Sequence, residues 1–153
     1  MTALNHAATG ALVAVAIGDP LIALPAALLS HFLIDMLPHW DYYRLTEDKS
    51  RGWLNPAIDF GASLFLLLIL AMTVNAPAWL LITGGLLGVL PDMMWVSYII
   101  WHRPSIQGNK SSLLNRVRHF HLKIQWLETT KLVGLFAELA WFGLMIFLIY
   151  QVN

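Results

Sequence analysis

Five apolar runs leave this chain little choice of fold. They are Ala3–Ile17, Leu21–Leu37, Pro56–Val74, Ala78–Ile100 and Lys131–Tyr150, and together they fill most of its 153 residues. In lipid the backbone polar groups must be paired within the protein, and a helix does this inside a single segment. The expected class is therefore all-α and integral to a membrane, one helical domain over residues 1–153. Composition agrees, with 58% hydrophobic and only 12% charged residues, where a soluble domain carries roughly 25% charged. The last three runs are long enough to span. The first two fall short of the ~20 residues of a usual transmembrane helix. They are joined by Gly18-Asp19-Pro20, a turn signal. Asp19 at that tip argues against burying it in lipid, so the pair reads as a hairpin of short spans and the total as about five transmembrane helices. The start of the chain has no basic stretch and no small-residue cleavage site, so it does not read as a removed signal peptide.

Charge sets the expected orientation. With five spans, the connection after the second holds Arg44, Lys49 and Arg51. The connection after the fourth, with the first residue of the last span, holds Arg103, Lys110, Arg116, Arg118, Lys123 and Lys131. All nine basic residues then lie on one side. The positive-inside rule makes that side cytoplasmic, with the N-terminus inside, the C-terminus outside and the protein multi-pass in the inner (plasma) membrane. Within Ser111–Leu127, Leu113, Val117, Phe120, Ile124 and Leu127 recur at spacings of four and three. They predict one amphipathic cytoplasmic helix on a membrane surface or on the domain, with Arg116, Arg118, His119 and Lys123 off the stripe and suited to lipid headgroups. Trp40, Trp53, Trp95, Trp101 and Trp126 read as interfacial anchors.

The chemistry-bearing residues collect on the same side. The stretch Ser30–Tyr43, SHFLIDMLPHWDYY, places His31, Asp35, His39 and Asp41 at one helix end. His31 and Asp35 are four apart and share a face. Pro38 should stop the helix, so that His39 and Asp41 turn back over its end. His6 lies at the cytoplasmic start of the first run, Asp92 about two turns from the cytoplasmic end of the fourth, and His121 at the edge of the amphipathic stripe. Ionisable residues inside spans are costly and mark function. Asp59 and Glu138 share this layer, but Asp59 has a simpler role at the N-terminus of its own helix, and Glu138 one with a basic residue or water. His119 points with Arg116 and Lys123 toward solvent. There is no cysteine, so a bound ion must rest on His, Asp and backbone oxygens, which suits a divalent metal and zinc above others. A short echo links LIDMLPH with GVLPDMM, each with an Asp and a Pro near a helix end.

The pieces NHAATGAL, LLSHFLIDMLPHWDY, GGLLGVLPDMMW and RHFHLKIQW resemble the bacterial membrane-bound predicted metal-dependent hydrolase family of the SOS-inducible inner-membrane type. That resemblance implies a metal site on His6, His31, Asp35, His39 and Asp92, and hydrolysis as the activity. The chain departs from the family at Met93-Met94, where a second Asp often follows the Pro-Asp pair. It departs again at His102-Arg103-Pro104-Ser105, where a His-Arg-Gly…Thr-His-Ser segment is frequent. HFLIDMLPH is also faintly similar to a stretch of zinc-dependent phospholipases C, which suggests a phosphoester bond.

The expected function is a membrane-embedded hydrolase with one or two ions on His6, His31, Asp35, His39 and Asp92. Asp41 and His121 would stand behind the ligands or accept a proton. Metal-activated water would attack an amphiphilic substrate, a lipid or other phosphoester. The partners implied are membrane lipids and not nucleic acid. The competing expectation is a scaffold, or a small metal or proton transporter. The absence of ionisable groups from the outer half of every span weighs against a full transport pathway.

Overall fold

Gly18, Asp19 and Pro20 build the first hairpin. Helix α1 (Ala3–Ile17) stops where Gly18 takes φ +74°, with its N–H on the Ala14 carbonyl, a conformation glycine enters without a Cβ penalty. The Asp19 carboxylate then accepts from the Leu21 N–H at 3.0 Å, and Pro20 opens helix α2 (Pro20–Ile34). The computed structural model describes residues 1–39, 54–95, 112–127 and 129–152. Within these it continues through α3 (Leu54–Thr73), α4 (Ala78–Val89), a 3₁₀ segment (Leu90–Trp95), α5 (Leu113–Ile124) and α6 (Lys131–Ile149). Among the described residues it is all-helical, without strands.

Three stretches, Pro56–Thr73, Ala78–Trp95 and Lys131–Ile149, are long and apolar enough to cross a membrane. The first hairpin helices are apolar but have only 15 residues each. Two boundaries differ from the sequence pattern. Helix α2 ends at Ile34 and not at Leu37, with Asp35 as its C-cap. Helix α4 gives way to the 3₁₀ segment at Leu90 and does not run on as one kinked α-helix. Pro91 supplies the reason, because it has no N–H for the α-helical ladder and its ring crowds the preceding turn.

Helix α1 is the hub. It packs against α2, α3, α4 and α6, and Asn5 through Ala11 are buried. The contact with α4 is backbone on backbone. A Cβ on Gly88 would collide with the His6 carbonyl and lie 3.2 Å from the Gly10 Cα, so glycine at 88 is what lets α4 reach the level of His6. Below this crossing, Ala7, Ala11, Leu67, Leu70 and Leu81 form the apolar core.

The N-terminus of α1 is capped by other helices. The N–H groups of Ala3 and Leu4 donate to the two oxygens of Asp59 at 2.7 and 3.1 Å, and that of Thr2 to Glu138 Oε2 at 3.2 Å. Asn5 Nδ2 also donates to the Glu138 carbonyl at 3.3 Å. Asp59 therefore serves the start of α1, and Glu138 serves it too. Both carboxylates meet N–H groups that have no partner within the helix, at its positive end. Asp59→Asn should lower stability by about 1 kcal/mol, read from thermal unfolding in detergent.

Large apolar side chains face outward on several helices, among them Leu21 and Leu33 on α2, Phe65 and Leu68 on α3, and Leu132 and Phe136 on α6. On α5 the predicted stripe is also turned outward, with Leu113 79% and Phe120 53% exposed. What α5 presses onto the bundle is its polar edge, on which Arg118 and His121 are buried.

Candidate metal centre

The Asp35 carboxylate is the centre of a buried cluster drawn from four parts of the chain. Its Oδ1 lies 2.7 Å from the Met1 amino group and 3.1 Å from His6 Nε2. Its Oδ2 lies 2.5 Å from His121 Nε2 and 3.3 Å from His31 Nε2, and accepts from Gln125 Nε2 at 3.2 Å. The His6 and His31 rings are stacked, with centroids 3.9 Å apart. Asp92 closes the group, its Oδ1 3.7 Å from His31 Nε2 and its Oδ2 4.0 Å from His6 Nε2. The side chains of His6, His31 and Asp35 are fully buried, and that of Asp92 is 27% exposed.

Local structure explains the convergence. His31 and Asp35 are one turn apart on α2, and the C-cap keeps Asp35 helical enough to stay on the same face. Gly88 brings α4 against α1 at His6, and its carbonyl accepts from His31 Nδ1 at 2.8 Å. In a 3₁₀ register that carbonyl would face the nitrogen of Pro91, which has no hydrogen to give. Pro91 thus helps leave the Gly88 oxygen to the histidine. The same 3₁₀ segment brings Asp92 over the cluster.

The donor set fits a cation. Ligand atoms of His6, His31 and Asp35, and of His31, Asp92 and His121, lie within 4.8 Å of one another and can hold a metal ion. His31 Nε2 belongs to both groupings and has one lone pair, so they describe one centre with a choice of ligands. A carbonyl can only accept, so His31 carries its proton on Nδ1 and turns a bare Nε2 to the cluster. That is the usual second contact of a metal-bound histidine. Neither ring nitrogen of His6 makes a hydrogen bond, although the ring is buried. Its Nε2 is near enough to Asp35 but wrongly directed for one. Buried polar atoms are rarely left so, and an ion between His6, His31 and Asp35 would satisfy this nitrogen.

His6, His31, Asp35, Asp92 and His121 therefore come together as the sequence suggests. His39 is buried, but its Nδ1–H donates to the Leu37 carbonyl at 2.8 Å and it belongs to neither grouping. Asp41 lies outside the described residues, as do Trp40, Trp53, Trp101 and the His102-Arg103-Pro104 segment. His119 is half-buried on α5 and is not in the cluster.

Three residues of the site escape a reading by composition. Trp95, expected as an interfacial anchor, also joins the site, where its Nε1–H donates to His121 Nδ1 at 3.2 Å. Arg118 is buried and not turned to headgroups. Its Nε donates to the Met94 carbonyl at 3.1 Å, its Nη2 donates to the same oxygen, and its guanidinium stands 5.9 Å from the Trp95 ring. Gln125 is the third, reaching Asp35 from one turn beyond His121. The spacing of Arg118, His121 and Gln125 at i, i+3 and i+7 is a second stripe on α5, and it was the available signal.

Comparison with protein-family models, with curated proteins and with solved structures finds no match to this chain.

Proposed function

We propose that this chain is a membrane-embedded metal-dependent hydrolase. Its centre would face the cytoplasm and hold a divalent ion, zinc by preference, on His6, His31, Asp35 and Asp92. The observation that carries the reading is His6, a fully buried ring with no hydrogen bond, stacked on a histidine whose lone pair is turned inward beside a buried carboxylate. Mixed imidazole and carboxylate ligands without thiolate are those of catalytic zinc sites. The outward-facing apolar side chains on α2, α3 and α6 support a place in a bilayer. The one-sided basic residues support a cytoplasmic site in the inner membrane.

A bound divalent ion would supply Lewis acidity and a water acidified toward neutral pH. The chain's own residues would do the rest. His6, His31 and Asp35 would hold the ion from the buried side, and the partly exposed Asp92 would be the ligand nearest the outside. The substrate class favoured is an amphiphilic phosphoester, such as a lipid with its headgroup at the depth of this cluster. The resemblance to predicted membrane-bound hydrolases points the same way.

The test is metal analysis of protein purified in detergent and equilibrated with zinc, followed by release of headgroup from phospholipid micelles. Stoichiometric zinc in the natural chain, lost in His6→Ala and His31→Ala together with headgroup release, is the expected result. A natural chain without zinc, or variants that keep it, would overturn the proposal.

A further inference from the structure

His31 and His121 look equivalent as ligands, for both turn Nε2 to Asp35. Their outer partners make them opposites. The Gly88 carbonyl is an acceptor only, so the His31 proton sits on Nδ1 and its Nε2 is bare. The Trp95 indole is a donor only, so His121 Nδ1 must be the bare nitrogen and the proton of the neutral ring sits on Nε2. That Nε2–H lies 2.5 Å from Asp35 Oδ2, which accepts it, and 3.1 Å from the bare His31 Nε2. A ring held in this way has no lone pair at Nε2 to offer to an ion.

We propose that His121 is not a ligand of the centre but a fixed N–H donor that orients Asp35, and that Trp95 is the positioning residue that, from the other side of the ring, helps keep it one. The assignment of roles rests on the metal reading above, whereas the pair of tautomers does not. Arg118 locks the arrangement. It lies three residues before His121 on the same face of α5 and binds the Met94 carbonyl next to Trp95. The helix that carries His121 and the segment that carries Trp95 are thereby tied together. Gln125 adds a second donor to the same Asp35 oxygen at 3.2 Å. The edge of α5 thus supplies Asp35 with two N–H donors, leaving the bare nitrogens of α1 and α2 to grip the cation. Metal-bound carboxylates are commonly held by such outer donors, and losing one typically weakens metal binding roughly 10- to 100-fold without abolishing it.

Long-range proton–nitrogen NMR of the full chain in detergent, with isotope-labelled histidine rings, reads each tautomer directly. The metal-free chain should show His31 protonated on Nδ1 and His121 on Nε2, and Trp95→Phe should move the His121 Nδ1 signal by removing its hydrogen-bond donor. On adding zinc, the His31 Nε2 signal should move as a ligand does, while His121 keeps its Nε2 proton. Zinc affinity gives a second readout. His121→Gln retains an N–H donor and should bind zinc within roughly tenfold of the natural chain, whereas His31→Gln should lose binding. Zinc that displaces the Nε2 proton of His121, or His121→Gln losing zinc as fully as His31→Gln, would overturn the proposal. So would a metal-free His121 protonated on Nδ1. If the natural chain binds no zinc, the metal reading fails by itself, and the spectra still decide the tautomers and the part played by Trp95.

Discussion

Asp35→Ala should both empty the centre of metal and destabilise the metal-free protein by about 3–5 kcal/mol, the usual consequence of removing one partner from a buried charged group. Five groups converge on this carboxylate: the Met1 amino group, His6, His31, His121 and Gln125. Without it, the Met1 ammonium, the His121 Nε2–H and the Gln125 amide each lose this acceptor, and an unmade bond in a site this enclosed carries a desolvation cost. The measurement is unfolding in detergent with a chelator present, so that loss of metal cannot account for the change. A variant as stable as the natural chain under those conditions would show that the cluster is not held together by Asp35.

The second large effect is expected at Gly88→Ala. The added Cβ would meet the His6 carbonyl and the Gly10 Cα, both backbone atoms that cannot turn aside. Helix α4 would have to move away from α1, at a cost of about 1–3 kcal/mol for overpacking. The same shift would carry the Gly88 carbonyl away from His31 Nδ1 and leave that ring free to rotate. The outcome that separates this from plain destabilisation is loss of zinc by variant protein that remains folded, compared with Gly61→Ala as a control. At Gly61 an added Cβ meets nothing within 4 Å. Equal zinc binding in Gly88→Ala and Gly61→Ala would contradict the account.

Most of the cluster is legible in the sequence because costly residues in apolar runs have few places to go. The i, i+4 pair His31–Asp35 needs only the helical repeat. His6 and Asp92 follow from counting turns inward from one side. The echo between LIDMLPH and GVLPDMM proves spatial, since Asp35 and Asp92 approach the same His31 nitrogen. His121 is distinguishable from His119 by the angle between them on α5. What the sequence hides is the roll of α5. The stripe suits a helix on a membrane surface or on the domain alike, and here it faces out while the polar edge faces in. The polar edge of Arg118, His121 and Gln125 meets the buried Asp35 carboxylate and the Met94 carbonyl, and its i, i+3, i+7 spacing is the one local mark of that choice. Arg118 departs from its expected place at headgroups for the same reason, its partners and not its residue type deciding its role. Asp59 and Glu138 are hidden by distance, because capping across helices leaves no mark at nearby positions. The end of α4 at Val89 is half legible. Pro91 announces a break, but a kinked α-helix and a switch to 3₁₀ begin from the same residue.

The burial of the cluster is uneven. His6, His31 and Asp35 are sealed among the helices, and Asp92 alone of the four proposed ligands shows a quarter of its side chain to the outside. Among the described residues, Asp92 is the member of this set that borders His31 Nε2 and also reaches the outside. If the centre takes an ion as proposed, Asp92 on the short 3₁₀ segment would be the point at which that ion meets the outside.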